Sequence, residues 1–154
     1  MGSSTLRDPA LPPKVYRIMK YDANDNLPVV GVSGSSELGA RPKIDITVDA
    51  EGNVVLDASG MSVAPNWRMI NFTRIPKRLR NIVPGARGSN KHACFSMGLG
   101  PFDRGPVTDR LELIPDDTPP PVKHGVIAPT SAVPLHQFQS DLAGTRSLWQ
   151  IDEA

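Results

Sequence analysis

The alternation of hydrophobic and polar residues is clearest between residues 41 and 65. Residues 44–48 alternate with the period of a half-buried strand, and residues 54–56 are hydrophobic again. Between them, residues 51–53 read Glu-Gly-Asn, which is typical of a chain reversal because Gly and Asn adopt positive φ at low cost. The pattern predicts a strand–turn–strand unit, followed by a second turn over residues 59–63.

Short hydrophobic runs elsewhere predict further elements. We expect strands at residues 14–21, 69–72, 93–97, 110–114 and 124–129, the last of these being the final strand. Residues 75–83 are predicted as a short helix or turn, 84–90 as a flexible loop, and the proline-rich 116–121 as an exposed connector.

The C-terminal region carries the clearest helical pattern. Pro134 suits the first helical position, and Leu135, Phe138, Leu142 and Trp149 follow near helical spacing. The sequence therefore predicts one amphipathic helix close to the end of the chain.

Composition changes this picture in three respects. The 154 residues predict a single sheet-rich domain over residues 14–154 after a flexible leader at residues 1–13, and the 16 prolines indicate long ordered loops. A single Cys excludes an internal disulfide and fits a reducing compartment. No apolar run reaches the length of a signal or a membrane span, so nothing directs classical secretion, although a route that needs no cleavable signal stays open. We expect a cytoplasmic protein with no membrane partner.

Charge is distributed unevenly although the net charge is only +1. Residues 58–102 contain seven Lys and Arg and no acidic residue. This basic block would attract phosphate, nucleic acid or an acidic protein, although a solvated basic face is the alternative.

A few residues could carry chemistry. Arg17 lies within the first predicted strand, where a buried cation needs a carboxylate or a ligand phosphate. Ser62 follows a Gly turn and would be either a turn hydroxyl or a group that braces a site. His124 begins a predicted strand, whereas Cys94 is interpreted as a buried structural residue. No His or Cys pair has metal-ligand spacing, so no metal site is predicted.

The order of these pieces resembles one protein family along residues 14–150. Matching residues are Tyr16-Arg17, Arg41-Pro42, Asp45-Ile46, Gly60-Met61-Ser62-Val63, Ile75-Pro76, Leu79-Arg80, His124-Gly125-Val126-Ile127, Pro129, Leu135, Gln139, Leu142, Thr145, Arg146 and Trp149. The family is the second "type six exported" effector family of bacterial type VI secretion. Its members are NAD-dependent toxins that are similar to ADP-ribosyltransferases, with bacterial and fungal relatives.

The resemblance implies an α+β fold with a split mixed β-sheet core, a C-terminal helix and NAD as cofactor. Arg17 would face an NAD phosphate or ribose, and Gly60 and Ser62 would line the cofactor site. Ser62 and His124 would be the catalytic positions. The implied partners are NAD and a macromolecular target in the cytoplasm of the producing or target cell. A cognate immunity (antitoxin) protein is a further partner that the resemblance allows.

The chain departs from this family at one position. Relatives with a catalytic carboxylate would place it just before Pro129, where this chain has Ala128. Candidate substitutes are Glu112, Asp116, Asp117, Gln137 and Gln139. The first hypothesis is an ADP-ribose-transferring toxin. A non-enzymatic partner-binding module on the same fold and a basic RNA-directed protein remain the alternatives.

Overall fold

The computed structural model describes residues 11–57, 59–117 and 119–154. Its strands are β1 (Val15–Lys20), β2 (Met61–Val63), β3 (His92–Met97), β4 (Gly105–Pro106), β5 (Leu111–Pro115), β6 (Gly125–Pro129) and β7 (Gln150–Ile151). The α-helix α1 covers Leu135–Ala143, and 3-10 helices cover Trp67–Met69, Lys77–Leu79 and Arg146–Leu148. The described part is therefore a mixed α+β structure whose regular elements are mostly strands, as predicted.

The strands form two antiparallel sheets. One has the order β1-β3-β7 and the other β2-β6-β5-β4. Tyr16 and Ala64 exchange both backbone hydrogen bonds, at 2.8 and 2.9 Å, and so join the first strand of each sheet. The two sheets consequently meet along β1 and β2.

The main core is filled by the inward faces of both sheets together with α1. Alternate residues of β2, Met61 and Val63, are buried there beside Phe138 and Leu142 of the helix. A smaller core lies under β1 and β3, where Ile18, Trp67, Ile75, Leu79, Ala86 and Cys94 pack together. Alternation along β1 thus divides its side chains between two apolar clusters.

The C-terminal helix is shorter than its hydrophobic pattern predicts. It begins after Pro134 and ends at Ala143, with Gly144 as its C-cap. Trp149 therefore lies outside the helix, where its indole N–H donates to the Thr145 hydroxyl at 3.0 Å. The chain then adds β7 to the edge of β3, so the strand at residues 124–129 is not the last.

The predicted strands around residues 44–48 and 54–56 are wrong, although the turn between them is confirmed. This segment forms only isolated bridges, and Ile44 is 69% exposed. The Asp45 carboxylate accepts hydrogen bonds from the backbone and side chain of Arg41, which curls the chain instead of extending it. Gly52, with φ of +85°, closes the predicted reversal.

Some of the other predicted elements are confirmed, and others are wrong. The strands at 14–21, 93–97, 110–114 and 124–129 are confirmed within about one residue at each end. The strand at 69–72 is wrong, because the Asn66 side chain caps the 3-10 helix Trp67–Met69 there. The turn at 59–63 is also wrong, because most of it is β2, whereas the short helix or turn within 75–83 is confirmed.

Most of the predicted leader, residues 1–10, lies outside the described residues. Its last residues pack on the domain, since Pro12 O accepts hydrogen bonds from the backbone N–H groups of Leu99 and Gly100. Across residues 11–57, 59–117 and 119–154, no helix is long and apolar enough to cross a membrane.

Candidate functional site

A cleft of about 300 Å³ opens where β1 meets β2, and we call it the basic cleft. Its lining residues are Tyr16, Arg17, Ile18, Ser62, Val63, Ala64, Met69, Ile70, Asn71, Arg74, Lys123 and His124. Arg17, Ser62 and His124, which the sequence singled out, are thus brought together from three distant parts of the chain. Within residues 11–57, 59–117 and 119–154, the wall carries three permanent cations and no carboxylate.

Arg17 is buried in β1 with only 4% of its surface exposed. Its Nε and Nη2 donate to the carbonyl oxygen of Glu37 at 3.2 and 2.9 Å, and its Nη1 donates to that of Ser62 at 2.7 Å. The expected carboxylate or phosphate partner is therefore replaced by backbone carbonyls. Their dipoles satisfy a guanidinium well because it presents a planar fork of donors.

Burial, together with the nearby charge of Arg74, lowers the pKa of Arg17 to about 10, although the charge of Asp45 acts in the opposite direction. Arg17 consequently remains protonated at neutral pH and contributes a fixed positive charge beneath the cleft. Its hydrogen bonds also tie β1 to β2, which makes it a positioning residue for the Ser62 segment.

Ser62 occupies the middle of β2 and pairs with Val126 of β6. Met61 and Val63 are buried in the core, so alternation places the partly exposed Ser62 side chain on the opposite, cleft-facing side. Arg17 holds the Ser62 carbonyl from the neighbouring strand, which fixes the backbone from which the hydroxyl projects. The residue is therefore a strand residue and not the predicted turn hydroxyl.

His124 lies just before β6 and forms a pair with Asp116. The imidazole Nδ1 is 2.9 Å from Asp116 Oδ2, and the backbone N–H of Asp116 donates to His124 O at 2.9 Å. Because Nδ1 faces the carboxylate, Nε2 is the ring nitrogen left for a ligand. Both side chains are more than 40% exposed, and His124 is the member of the pair that lines the basic cleft.

A second cavity of about 500 Å³ adjoins the first, and Ser62 lines both. We call it the acidic cleft; its lining residues are Ile44, Asp45, Asp57, Ser59, Gly60, Ser62, Ile114, Pro115, Asp116, Asp117 and Val126. Among the residues that the structure describes, it is lined by four carboxylates and no basic side chain. Gly60, which the resemblance assigned to the cofactor site, belongs to this cavity and not to the basic cleft.

Gly60 is required by close packing between β2 and β6. A Cβ atom at this position would lie 2.5 Å from Val126 Cβ, well inside van der Waals contact. The backbone N–H of Gly60 also donates to Asp45 O at 3.0 Å. The glycine therefore lets the segment that carries Asp45 approach the strand that carries Ser62.

Asp45 stays ionised in the wall of the acidic cleft. Burial by itself would raise its pKa, but the hydrogen bonds from Arg41 outweigh burial and the pKa of Asp45 is lowered overall. Arg41 Nε and Nη2 approach the two Asp45 oxygens at 3.0 and 3.2 Å. The carboxylate is thus a fixed charge of the site.

Ala128 lies in β6 directly opposite Glu112 of β5 and is 1% exposed. The Glu112 carboxylate is paired with Arg104 at 3.1 Å. Among the other substitutes for a catalytic carboxylate, Gln137 donates to Asp141 and Gln139 bonds both backbone groups of Ala40. Only the remaining two candidates, Asp116 and Asp117, line a cleft beside Ser62.

The basic block does not form one uniform face. Arg74 is half-buried and lines the basic cleft, whereas Arg78 pairs with Glu153 at 2.5 Å and Arg80 donates to Ala86 O at 2.9 Å. Arg68 and Arg87 lie over the rings of Trp67 and Phe72. Most of these arginines are therefore engaged in local packing.

Cys94 is fully buried, and burial raises the pKa of its thiol to about 12. The prediction of a structural Cys is confirmed, because a protonated buried thiol is neither a nucleophile nor a metal ligand. Within the described residues, no group of three or more His, Cys, Asp or Glu side chains is arranged to hold a metal ion.

Sequence reasoning did not single out Asn71, Arg74, Lys123 and Asp57 as site residues. Arg74 stood out only as one of seven basic residues, although its position is set locally: its backbone N–H donates to Asn71 O at 2.9 Å. Lys123 directly precedes His124, which is the signal that could have indicated it. Nothing in the local pattern distinguishes Asp57.

Comparison of the chain with models of protein families, with curated proteins and with solved structures found no match.

Proposed function

We propose that this domain binds NAD across the two clefts and transfers ADP-ribose to a macromolecular target, as a toxin or effector with an ADP-ribosyltransferase-like split-sheet fold. The observation that carries the proposal is the convergence of Arg17, Ser62 and His124 on one cleft. These are the positions that the family resemblance assigns to cofactor binding and catalysis, and they lie far apart in the chain.

The charges of the two clefts suit the two ends of NAD. Arg74, Lys123 and the buried Arg17 make the basic cleft favourable for the pyrophosphate. The four carboxylates of the acidic cleft favour the nicotinamide ribose, whose charge becomes positive as the glycosidic bond breaks. Ser62 lies between the clefts, where its hydroxyl would contact the ribose that joins these two parts of the ligand.

The chemical step follows from this placement. The bond between ribose C1′ and the nicotinamide nitrogen breaks, and its electron pair leaves with neutral nicotinamide. Asp116 and Asp117 stabilise the resulting oxocarbenium-like ribose in place of the carboxylate that Ala128 lacks. A nucleophile of the target attacks C1′, and its proton passes to His124 Nε2, since Nδ1 faces Asp116.

Calorimetric titration with NAD, together with chromatographic measurement of released nicotinamide, tests the proposal. We expect saturable binding and nicotinamide release that depends on the target. His124→Asn should reduce release by about 100-fold, as the loss of a general base does. His136→Asn is the matched control, because His136 is exposed on α1 and lines neither cleft.

Ser62→Ala should weaken NAD binding, whereas Ser140→Ala, at an exposed position of α1, should leave it unchanged. If NAD shows no saturable binding up to millimolar concentration, the proposal is wrong. If NAD binds but no nicotinamide is released with any target, the partner-binding module becomes the better explanation, as Ala128 suggested.

The proposed toxic action has a cellular test. Production of the domain in the cytoplasm without an immunity protein should arrest growth, and Ser62→Ala should relieve the arrest. The substitution should cost about 1 kcal/mol or less of folding stability, so relief could not be attributed to unfolding. Arrest that persists unchanged in Ser62→Ala would mean that the clefts are not responsible.

A further inference from the structure

A third cavity, of about 370 Å³, shares Arg74 with the basic cleft. Its lining residues are Arg41, Arg74, His92, Gly88 and the hydroxyl-bearing Ser35, Ser36, Thr73 and Ser89. No carboxylate of the described part of the chain lines it. We call it the arginine pocket. Its residues are cationic or hydrogen-bonding, so it is suited to an anion and not to an apolar ligand.

The hydrogen bonds of the two arginines leave donors for a ligand. Arg74 uses Nη2 to donate to Ser35 O at 2.9 Å. Arg41 uses Nε and Nη2 to hold Asp45 at 3.0 and 3.2 Å. The Nη1 groups of both residues and Nε of Arg74 are not used in these contacts. Two planar forks anchored on one side can therefore present their remaining N–H groups to the same anion.

The surrounding charge also favours an anion. Arg17, Arg41 and Arg74 are close enough to influence one another, and Asp45 is the carboxylate that opposes them. Burial lowers the pKa of Arg74, and the charge of Arg41 lowers it further. Three guanidiniums thus share one carboxylate, which leaves two positive charges that a doubly charged ligand would balance.

We propose that the arginine pocket binds the phosphate group of a phosphomonoester or free phosphate. A terminal phosphate carries nearly two negative charges and three acceptor oxygens, which matches two guanidinium forks flanked by hydroxyls. Because Arg74 lines both cavities, the phosphate can be free or can belong to a nucleotide that occupies the basic cleft. The proposal does not depend on NAD binding.

Calorimetric titration with inorganic phosphate at constant ionic strength tests it, with chloride as the reference anion. We expect saturable binding that Arg74→Gln and Arg41→Gln each weaken by about tenfold or more, the effect of one lost charge-assisted hydrogen bond. Arg104→Gln is the matched control, because Arg104 also pairs with a single carboxylate and does not line the pocket.

Arg41→Lys keeps the charge but loses the fork, so it should fall between the parent and Arg41→Gln. A thermal melt of each variant separates lost binding from lost folding. Absence of saturation up to about 10 mM phosphate, where even a millimolar Kd would be detected, overturns the proposal. An equal loss of binding in Arg104→Gln also overturns the proposal, since the loss would then reflect the net charge of the protein and not a specific site.

Comparison of NADP with NAD identifies the source of the phosphate. If the pocket serves a nucleotide in the basic cleft, the extra phosphate of NADP should tighten binding and Arg41→Gln should remove that preference. If the pocket serves free phosphate, inorganic phosphate should bind while the two dinucleotides bind equally. Either result supports a phosphate site. If NADP, NAD and inorganic phosphate each bind the parent and Arg41→Gln with the same affinity, the proposal is overturned.

Discussion

The basic and acidic clefts meet at Ser62 but are built in different ways. In the basic cleft, Arg17 is buried and held by backbone carbonyls from two other segments. In the acidic cleft, Asp57, Asp116 and Asp117 are exposed at a turn or at the end of a strand. The charge of the first cleft is therefore part of the fold, whereas most of the charge of the second is added at its surface. Substitutions in the basic cleft should therefore change the stability of the protein more than substitutions in the acidic cleft.

The largest effect is expected in the basic cleft. Arg17→Ala leaves the buried Glu37 carbonyl and the partly buried Ser62 carbonyl without their donor and should lower the free energy of unfolding by about 3 kcal/mol or more. Arg110→Ala is the control, because the exposed Arg110–Asp141 pair should cost about 1 kcal/mol or less. Urea unfolding measures both.

The resemblance implied that Arg17 faces an NAD phosphate or ribose, whereas its hydrogen bonds to the Glu37 and Ser62 carbonyls give it a role in stability as well. An Arg17→Ala protein as stable as the Arg110→Ala protein would show that the carbonyl contacts contribute little. Loss of NAD binding in Arg17→Ala would not by itself assign Arg17 to the ligand, because the β1–β2 junction would change as well. Ser62→Ala remains the cleaner test of binding.

A smaller effect is expected at Gly60, which lines the acidic cleft. Gly60→Ala places a methyl group against Val126 and should destabilise the protein by about 1–3 kcal/mol, the usual cost of overpacking. Gly34→Ala is the matched control, because the nearest atoms to its added Cβ lie 4.0 Å away. Thermal melts that show equal stability for the two variants would mean that β2 can move away from β6 without cost.

The smallest effect concerns the acidic cleft and pH. The folded-state pKa of Asp45 is lowered, so its contribution to stability is present above the unfolded pKa and is lost as the pH falls through the folded value. Asp45→Asn should be about 1 kcal/mol less stable at neutral pH and should lose less stability than the parent between about pH 5 and 3. Urea unfolding across this range measures the difference, and parallel curves for the two proteins would contradict it.

The elements that sequence predicted correctly are those whose hydrophobic pattern agrees with their packing. In β3 the apolar residues of the predicted strand are buried, and in β5 Leu111 and Leu113 are buried. In residues 44–48 the alternation is equally regular, but the Asp45 carboxylate accepts a hydrogen bond from the backbone N–H of Arg41, and the chain forms a turn. A side-chain-to-backbone hydrogen bond of this kind competes with strand formation and leaves no trace in the apolar pattern.

Some residues of the candidate site could likewise be predicted from the sequence, and others could not. Arg17 could be proposed from sequence because it is a charged residue within a predicted strand, and Ser62 because it follows a Gly turn; both line the basic cleft. The partner of Arg17 could not be predicted, since the Glu37 carbonyl comes from a loop that has no regular pattern. The grouping of Asp45 and Asp57 with Asp116 likewise depends on how distant loops fold over the outer face of the second sheet.

The separation of the two apolar cores gives the molecule two distinct optical reporters. Trp67 lies in the smaller core, and its 3-10 helix carries Met69 into the wall of the basic cleft. Trp149 lies in the main core behind α1. A chain that keeps only Trp67 would report ligand entry through its emission, and a chain that keeps only Trp149 would report the helix. Heating the two chains in parallel would show whether the cores lose their structure together or one after the other.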